Sequence, residues 1–474
     1  MTDLKPTIGL EIHAELKTKA KMFCGCINNP DNKNANEQIC PVCMAHPGTL
    51  PVINKEAVRQ VLRVGTAVKG ELADFTEFDR KNYFYPDIPK NYQISQYKYP
   101  LVSGGKIGPV DITRIHLEED TARSTHGETT SDVDYNRAGV PLMELVTEPV
   151  IHDANTAVSF AQDLRLLLRY LGASDANLEK GEMRVEANIS VAPKDGPLGT
   201  KVEVKNLNSF KAVEQAIAYE IKRHTELLAR GEKIIQETRG WDENKQQTFS
   251  QRLKEESHDY RYFPDPDLPK LYISEIEGFD KKSLQATLPT LPWELRDAYI
   301  KQGMQTQTAH LLVNNPSLNA LYTDVVTILK DKDQIALATN YLTSDLWGTV
   351  TKSDYDGREV NELQVENFAE IIQMISDNTL SSRGAKDVLA EWLHRGGSPK
   401  EIASSLGVVQ VSDENALEEV VKAILKDHQD VVEQYKDGKE SALQFLVGQG
   451  MKATKGSANP AVLQGLLKKT IGNL

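Results

Sequence analysis

Residues 182–191 read EMRVEANISV, and they alternate without a break. Met183, Val185, Ala187, Ile189 and Val191 fall on one side of an extended chain. Glu182, Arg184, Glu186, Asn188 and Ser190 fall on the other, because successive side chains of a strand point to opposite faces. A turn-rich segment, APKDGPLG (192–199), leads into KVEVKNLNSF (201–210). There Val202 and Val204 oppose Lys201, Glu203 and Lys205. Paired as a hairpin, the two segments put carboxylates, cations and amides on one shared face.

The same pattern recurs elsewhere in the first 290 residues. In IGLEIHAEL (8–16), Glu11 and His13 project together from an otherwise apolar strand. RIHLEED (114–120) offers Glu118, Glu119 and Asp120 in a row. PLMELV (141–146) carries Glu144 between Leu142, Met143, Leu145 and Val146, a setting that predicts burial. A polar sheet face is ordinarily charged, which is sufficient for any one of these strands. Glu144 is different, since an isolated buried carboxylate is costly and needs a cation. Oxygen donors with an imidazole suit a hard divalent ion such as Mg²⁺, and a Mg²⁺ site can support phosphoryl transfer.

Short alternating runs punctuated by turn residues make residues 1–290 β-rich. Two helices interrupt them. One is predicted from the N-cap Asp153 through Val158, Ala161, Leu164, Leu168 and Leu171 to Gly172. The other is predicted over Val213–Arg230. Composition shifts at LPTLPWELR (288–296), beyond which the periodicity is helical. The Gly396-Gly397 pair and SSLGVVQVSD (404–413) divide that part into 291–408 and 409–474, the second starting near Val411 with Ser412 as N-cap. The expected fold class is therefore α+β: a β-rich domain with an antiparallel sheet, followed by two all-α domains.

With 474 residues and a net charge of −13, the chain cannot bind nucleic acid by bulk attraction. One local exception exists. Residues 441–474 contain no acidic side chain but carry Lys452, Lys455, Lys468 and Lys469. That patch is either a phosphate-backbone contact or solvated helix ends. No run is long and apolar enough for a membrane helix, and MTDLKPTIGLEIH lacks the basic and apolar regions of an export signal, so the cytoplasm is the expected location. The sequence contains no GxxxxGK[ST], no GxGxxG with a ribose-binding acid and no GxSxG. Any ATP use must rest on a less common nucleotide site.

Cys24, Cys26, Cys40 and Cys43 are the only cysteines and lie within 20 residues. They form a CxC pair and a CPVC pair around a polar loop, which suits a structural Zn²⁺ knuckle over about 24–43. Four reduced thiols are the alternative. Three further stretches mix aromatic and charged residues: RKNYFYPDIPKNYQISQ (80–96), DYNRAGVPLMEL (134–145) and HDYRYFPDPDLP (258–269). Lys81, Arg137 and Arg261 could clamp an anion, with Tyr83, Tyr85, Tyr260 and Phe263 lining a pocket. Tight loop packing is the competing explanation.

Along its whole length the chain resembles the B subunit of the bacterial glutamine-dependent Asp/Glu-tRNA amidotransferase, GatCAB. The segments carrying the resemblance, in order, are IGLEIHAEL, FDRKNYFYPDIPKNYQISQ, HLEEDTARSTH, VDYNRAGVPLMELVTEP, MRVEANIS, VKNLNSF, DYRYFPDPDLP and GQGMKATKGSANP. The resemblance implies a cradle domain, a helical domain and a tRNA-binding tail. It implies that ATP and Mg²⁺ are used to phosphorylate the side-chain carboxylate of Glu-tRNA(Gln) or Asp-tRNA(Asn). Ammonia then arrives from an amidase A subunit, and a small C subunit helps hold the heterotrimer. Carried onto this sequence, Glu11, His13, Glu119, Glu144 and Glu186 would form the catalytic Mg²⁺ site. Arg184, Lys205, Asn188 and Lys201 would contact phosphates. Lys81, Tyr83, Tyr85, Arg137, Tyr260, Arg261, Lys452 and Lys455 would contact the aminoacyl-tRNA. A non-catalytic tRNA-binding scaffold in the same complex is the alternative expectation.

Overall fold

The computed structural model describes residues 3–253, 260–410, 414–454 and 458–472. Val411, Ser412, Lys455 and the His258-Asp259 pair, all named above, lie outside the described residues. Two compact units are formed, Met1–Leu295 and Arg296–Leu474.

The first unit is built on one large sheet. Its elements in chain order are β1 (Leu4–Glu15), α1 (Lys55–Ala67), β2 (Asp79–Asn82), β3 (Tyr92–Ser95), β4 (Val110–Glu119), β5 (Pro141–Thr147), α2 (Ala154–Tyr170), β6 (Met183–Pro193), β7 (Val202–Leu207), α3 (Phe210–Ala229), β8 (Glu237–Asp242), β9 (Gln247–Leu253) and β10 (Phe263–Pro264), with shorter strands between. The sheet runs β9-β8-β7-β6-β1-β5-β4 and ends in two short edge strands. A separate small sheet has the order β10-β2-β3.

The expected hairpin is present: β6 and β7 pair antiparallel. The sheet is not wholly antiparallel, however, because β7 and β8 run parallel. A parallel neighbour cannot be reached by a tight turn, and α3 supplies the crossover. That helix starts at Phe210, three residues before the predicted Val213, because the Ser209 side chain caps it by accepting from Ala212 N at 3.0 Å. Helix α2 follows its prediction: Asp153 accepts from Thr156 N at 2.7 Å, and Gly172, at φ +64°, follows its end.

The apolar alternation of β1 and β6 becomes the core. Ile8, Leu10, Ile12, Met183, Val185, Ala187 and Ile189 are buried in one cluster with Leu164, Leu167 and Leu168 of α2 and Val213, Ala216 and Ile217 of α3. Each fully buried Leu or Ile contributes about 1.5–3 kcal/mol, so a slip of one residue in β1 or β6 would be strongly opposed. This core fixes which side chains face the opposite, polar side.

One irregularity shapes that polar side. Between Val185 and Ala187 the β6–β7 register shifts, so Glu186 faces both Lys205 and Asn206. Asn206 takes a left-handed conformation, φ +62°, one of the few non-glycine types that tolerates it. Such a bulge re-aims side chains, and here Lys205 Nζ comes to 2.7 Å from Glu186 Oε2.

Every named element among the described residues of the second unit is a helix, in line with the α+β expectation. Its last four helices, Glu414–Asp427, Gln429–Lys436, Glu440–Ala453 and Pro460–Gly472, bury a cluster of their own that includes Leu417, Val421, Leu446, Leu463 and Leu467.

Candidate active site

Register assembles the polar face. His116 of β4 stands opposite Glu144 of β5, and Glu144 stands opposite His13 of β1. His13 in turn faces Arg184 of β6. One row across four strands therefore reads His-Glu-His-Arg. In the next row Glu11 faces Glu186. His13 Nε2 lies 3.4 Å from both Glu118 Oε1 and Glu144 Oε2, and His116 Nε2 lies 3.4 Å from Glu144 Oε2. Arg114 Nη2 approaches Glu144 Oε1 at 3.6 Å. Lys205 Nζ is 3.7 Å from Glu203 Oε1, and Glu203 Oε2 accepts from Thr238 Oγ1 at 2.8 Å.

Burial makes these charges interdependent. Burial opposes ionisation of Glu144, but the adjacent His116 and His13 hold its carboxyl well below the usual range. Burial alone would lower the pKa of His13, yet the Glu118 and Glu144 carboxylates push it up to about 10. Glu11 is raised, first by burial and then by Glu144 and Glu186.

Ligand atoms of Glu11, His13 and Glu144 lie within 4.8 Å of one another. The same holds for His116, Glu118 and Glu144, and for Glu11, Glu186 and Glu203. Oxygen donors on one Mg²⁺ bind at about 2.1 Å and so sit up to about 4.2 Å apart, close to the 4.8 Å within which the atoms of each group lie. Asn188 Oδ1 is buried on the same face without a hydrogen-bond partner. The donor set fits a hard divalent cation.

Glu119 does not belong to this cluster. Alternation along β4 places it on the opposite face from Glu118, where Lys90 Nζ lies 2.6 Å from Oε2 and Ile94 N donates to Oε1 at 2.9 Å. Glu118 takes the position expected of it. Arg137 is likewise elsewhere: it donates to the carbonyls of Thr121 and Ala122 at 2.9 and 3.1 Å, and lies 3.7 Å from Asp120. Arg184 shares that second cluster, with Nη2 3.1 Å from Asp120 Oδ2. Beside it Glu15 is pushed up to about 8 by burial and Asp120.

Over the polar face lies a cavity of about 680 Å³. Glu11, His116, Glu144, Arg114, Glu203 and Lys205 line its inner part, Lys81 and Lys201 add cations, and Tyr97, Tyr260 and Tyr262 form an aromatic side. Lys81 Nζ sits 5.1 Å from the Tyr260 ring centre. Tyr83 donates to Gln93 Oε1 at 3.3 Å, and its ring contacts Tyr85 and Tyr260 at 5.9 and 6.0 Å. Tyr85 and Arg261 are exposed, and Arg261 O accepts from Asn82 Nδ2 at 2.9 Å. Lys452 lies exposed in the helix Glu440–Ala453. His116 and Arg114 were not singled out from the sequence, although the period of two through Arg114, His116 and Glu118 carries the signal.

The four cysteine sulfurs lie within 4.8 Å of one another. Cys40 N donates to Cys43 Sγ at 3.1 Å. Contact with Cys24 is the main cause that pulls the Cys43 thiol down to about 5, while burial pushes Cys26 up to about 11. Four thiolates at about 2.3 Å around Zn²⁺ sit roughly 3.8 Å apart, so the cluster fits a closed tetrahedral site.

Residues 6–277 match the family described as the GatB/GatE catalytic domain, and residues 324–471 match that described as the GatB domain. Among curated relatives, the B subunit of the aspartyl/glutamyl-tRNA(Asn/Gln) amidotransferase of Synechocystis sp. is 41% identical over 493 residues, covering 99% of this chain and 98% of its own. The same-named protein of Carboxydothermus hydrogenoformans is 40% identical over 491 residues, covering 100% of both. That of Caldanaerobacter subterraneus is 41% identical over 477 residues, covering 98% of each. Among the described residues, no helix is long and apolar enough to cross a membrane.

Proposed function

The chain belongs to the GatB/GatE family of tRNA amidotransferases, and on that premise we propose that its carboxylate-histidine face drives ATP-dependent amidation of misacylated tRNA. The substrates are Glu-tRNA(Gln), Asp-tRNA(Asn) or both. The observation that carries this reading is the His116–Glu144–His13 row, with Glu118 and Glu11 beside it, of which His116, Glu144 and Glu11 line a cavity that also presents Lys81, Lys201 and Lys205.

Glu11, His13, Glu118 and Glu144 would hold Mg²⁺, with Glu186 next to Glu11. When bound, the ion neutralises phosphate charge and aligns the reacting oxygens. Lys205 and Lys201 would meet the nucleotide phosphates. Lys81 is half-buried beside Glu118 and Glu144, whose charges outweigh desolvation and raise its pKa, so it stays cationic and can meet the substrate carboxylate. That carboxylate attacks the γ-phosphorus of ATP, ADP leaves, and an acyl phosphate results. Ammonia then attacks the acyl carbon, phosphate leaves with the C–O bond electrons, and the proton lost by the nitrogen ends on the departing phosphate. A carboxylate has no good leaving group, so the first step makes the second feasible.

Ammonia would come from an amidase A subunit, with a small C subunit completing a heterotrimer in the cytoplasm. Cys24, Cys26, Cys40 and Cys43 would hold a structural Zn²⁺. Residues 291–408 and 409–474 would act as separate helical domains, the latter meeting tRNA through Lys452 and Lys455. The test is Glu144→Gln in the assembled complex: tRNA-stimulated ATP hydrolysis is lost while tRNA affinity holds. Unchanged hydrolysis would favour the scaffold reading.

A further inference from the structure

The cavity has two chemically different sides. One, over β7–β9, is polar and carries two lysines, with Lys201, Lys205, Glu203, Gln236, Thr238 and Gln251. The other is aromatic. There Tyr97 and Tyr262 stack face to face, with ring centres 4.3 Å apart and planes within 11°. The Tyr260 ring meets Tyr262 edge-on at 6.0 Å.

Tyr97 is the outer leaf of this stack and is 62% exposed. Its backbone is nevertheless fixed. Tyr97 N and Lys98 N donate to the buried Asp79 carboxylate at 3.0 and 3.4 Å. The preceding Gln96 is buried: its Nε2 donates to Thr76 Oγ1 at 2.6 Å, and its Oε1 accepts from Leu117 N at 3.0 Å. A side chain pinned at its root, with one face stacked and the other open to a cavity, is preorganised for a flat ligand. A base can extend the stack at little entropic cost, and base–aromatic stacking is worth about 1–3 kcal/mol per base.

Resting on the proposed reaction, we infer that the open face of Tyr97 is a stacking subsite for an adenine ring. Two substrates of that reaction carry one: ATP, and an acceptor RNA ending in adenosine. Both also carry phosphates for the lysine-bearing side.

The experiment uses the full chain with Tyr97→Leu and Tyr97→Phe. Leucine still covers Tyr262 but offers no flat face; phenylalanine keeps the face. The probes are ATP, inorganic tripolyphosphate, and an unacylated tRNA with and without its 3′-terminal adenosine. Tyr97→Leu should weaken either ATP or the complete tRNA about 5- to 150-fold, as a lost stacking contact predicts. Whichever weakens identifies the source of the adenine. Tripolyphosphate and the shortened tRNA should bind Tyr97→Leu as they bind wild type, and Tyr97→Phe should stay within about twofold. The subsite is overturned if Tyr97→Leu binds both ATP and the complete tRNA at wild-type strength, or if tripolyphosphate weakens equally. Failure of tripolyphosphate to compete with ATP on the wild type would instead count against the nucleotide reading of the lysine-bearing side.

Discussion

Glu11 and Glu186 stand directly opposite each other across the antiparallel β1–β6 pair, two carboxylates where a sheet ordinarily pairs opposite charges. Like charges so placed destabilise the ladder. Lys205, brought in by the β6–β7 bulge, offsets part of this through Glu186. The remainder is what a divalent cation would offset.

Mg²⁺ should therefore stabilise the fold. At a hundredfold excess over its dissociation constant, a ligand adds about 2.7 kcal/mol, a rise of several degrees in melting temperature. The rise should vanish in Glu144→Gln. Glu11→Gln should melt higher than wild type without Mg²⁺, because the facing charges are gone. Calorimetry with and without Mg²⁺ decides, and an equal Mg²⁺ response in wild type and Glu144→Gln would count against a site here.

Thr238 acts on Lys205 through Glu203. Removing its hydroxyl takes a buried partner from a carboxylate, at a cost of about 1–3 kcal/mol. Thr238→Val should raise the KM for ATP about tenfold with a smaller change in kcat, and Thr238→Ser should restore it. A loss confined to kcat would refute the positioning role.

Glu220 on α3 gives a pH signature away from the cavity. Its buried carboxylate meets Arg223 Nη2 at 2.7 Å, Arg239 Nε at 3.2 Å, His224 Nε2 at 3.2 Å and the Thr248 hydroxyl. Burial opposes ionisation, but the His224, Arg223 and Thr248 hydrogen bonds prevail and pull the carboxyl from 4.5 to about 2. A depressed pKa stabilises the fold above the unfolded value and loses that stability as pH falls through the folded one. The contribution is about 3 kcal/mol at neutral pH, eroding between pH 4.5 and 2. The melting gap between wild type and Glu220→Gln should therefore be wide at pH 7 and narrow by pH 3. A gap independent of pH would contradict the assignment.

Purified protein should carry one zinc per chain, measured by atomic absorption. Cys40→Ser with Cys43→Ser should remove it and lower the melting temperature. Amidation at low temperature should persist, since a closed four-thiolate site is structural. Zinc-free protein with unchanged stability would mean the cysteines are plain thiols.

Much of this was legible in the strand alternation. Residues 182–191 correctly separated core from polar face, and Glu144 among apolar neighbours correctly signalled a buried charge. What alternation could not supply was register between distant strands. Alternation through Arg114, His116 and Glu118 separates Glu118 from Glu119, but that Glu118 meets His13 depends on how β4 lies against β5 and β5 against β1. Arg137 had the composition of an anion clamp, yet backbone carbonyls of a neighbouring turn take its donors. The parallel β7–β8 pair went unread because no strand was identified after the Val213–Arg230 helix, although a strand, a helix and a second strand in sequence are what a parallel crossover requires. The bulge at Asn206 needed a left-handed residue, and asparagine supplied it without the glycine that would have flagged it.

The central claim is that a substrate carboxylate oxygen attacks ATP on this face. The most direct measurement uses Glu-tRNA(Gln) labelled with ¹⁸O in its side-chain carboxylate, turned over by the assembled complex with ATP and glutamine. Mass spectrometry of the released phosphate should find one ¹⁸O atom per amide formed, and none with Glu144→Gln, which should make no amide. Amide formation with unlabelled phosphate would contradict the account.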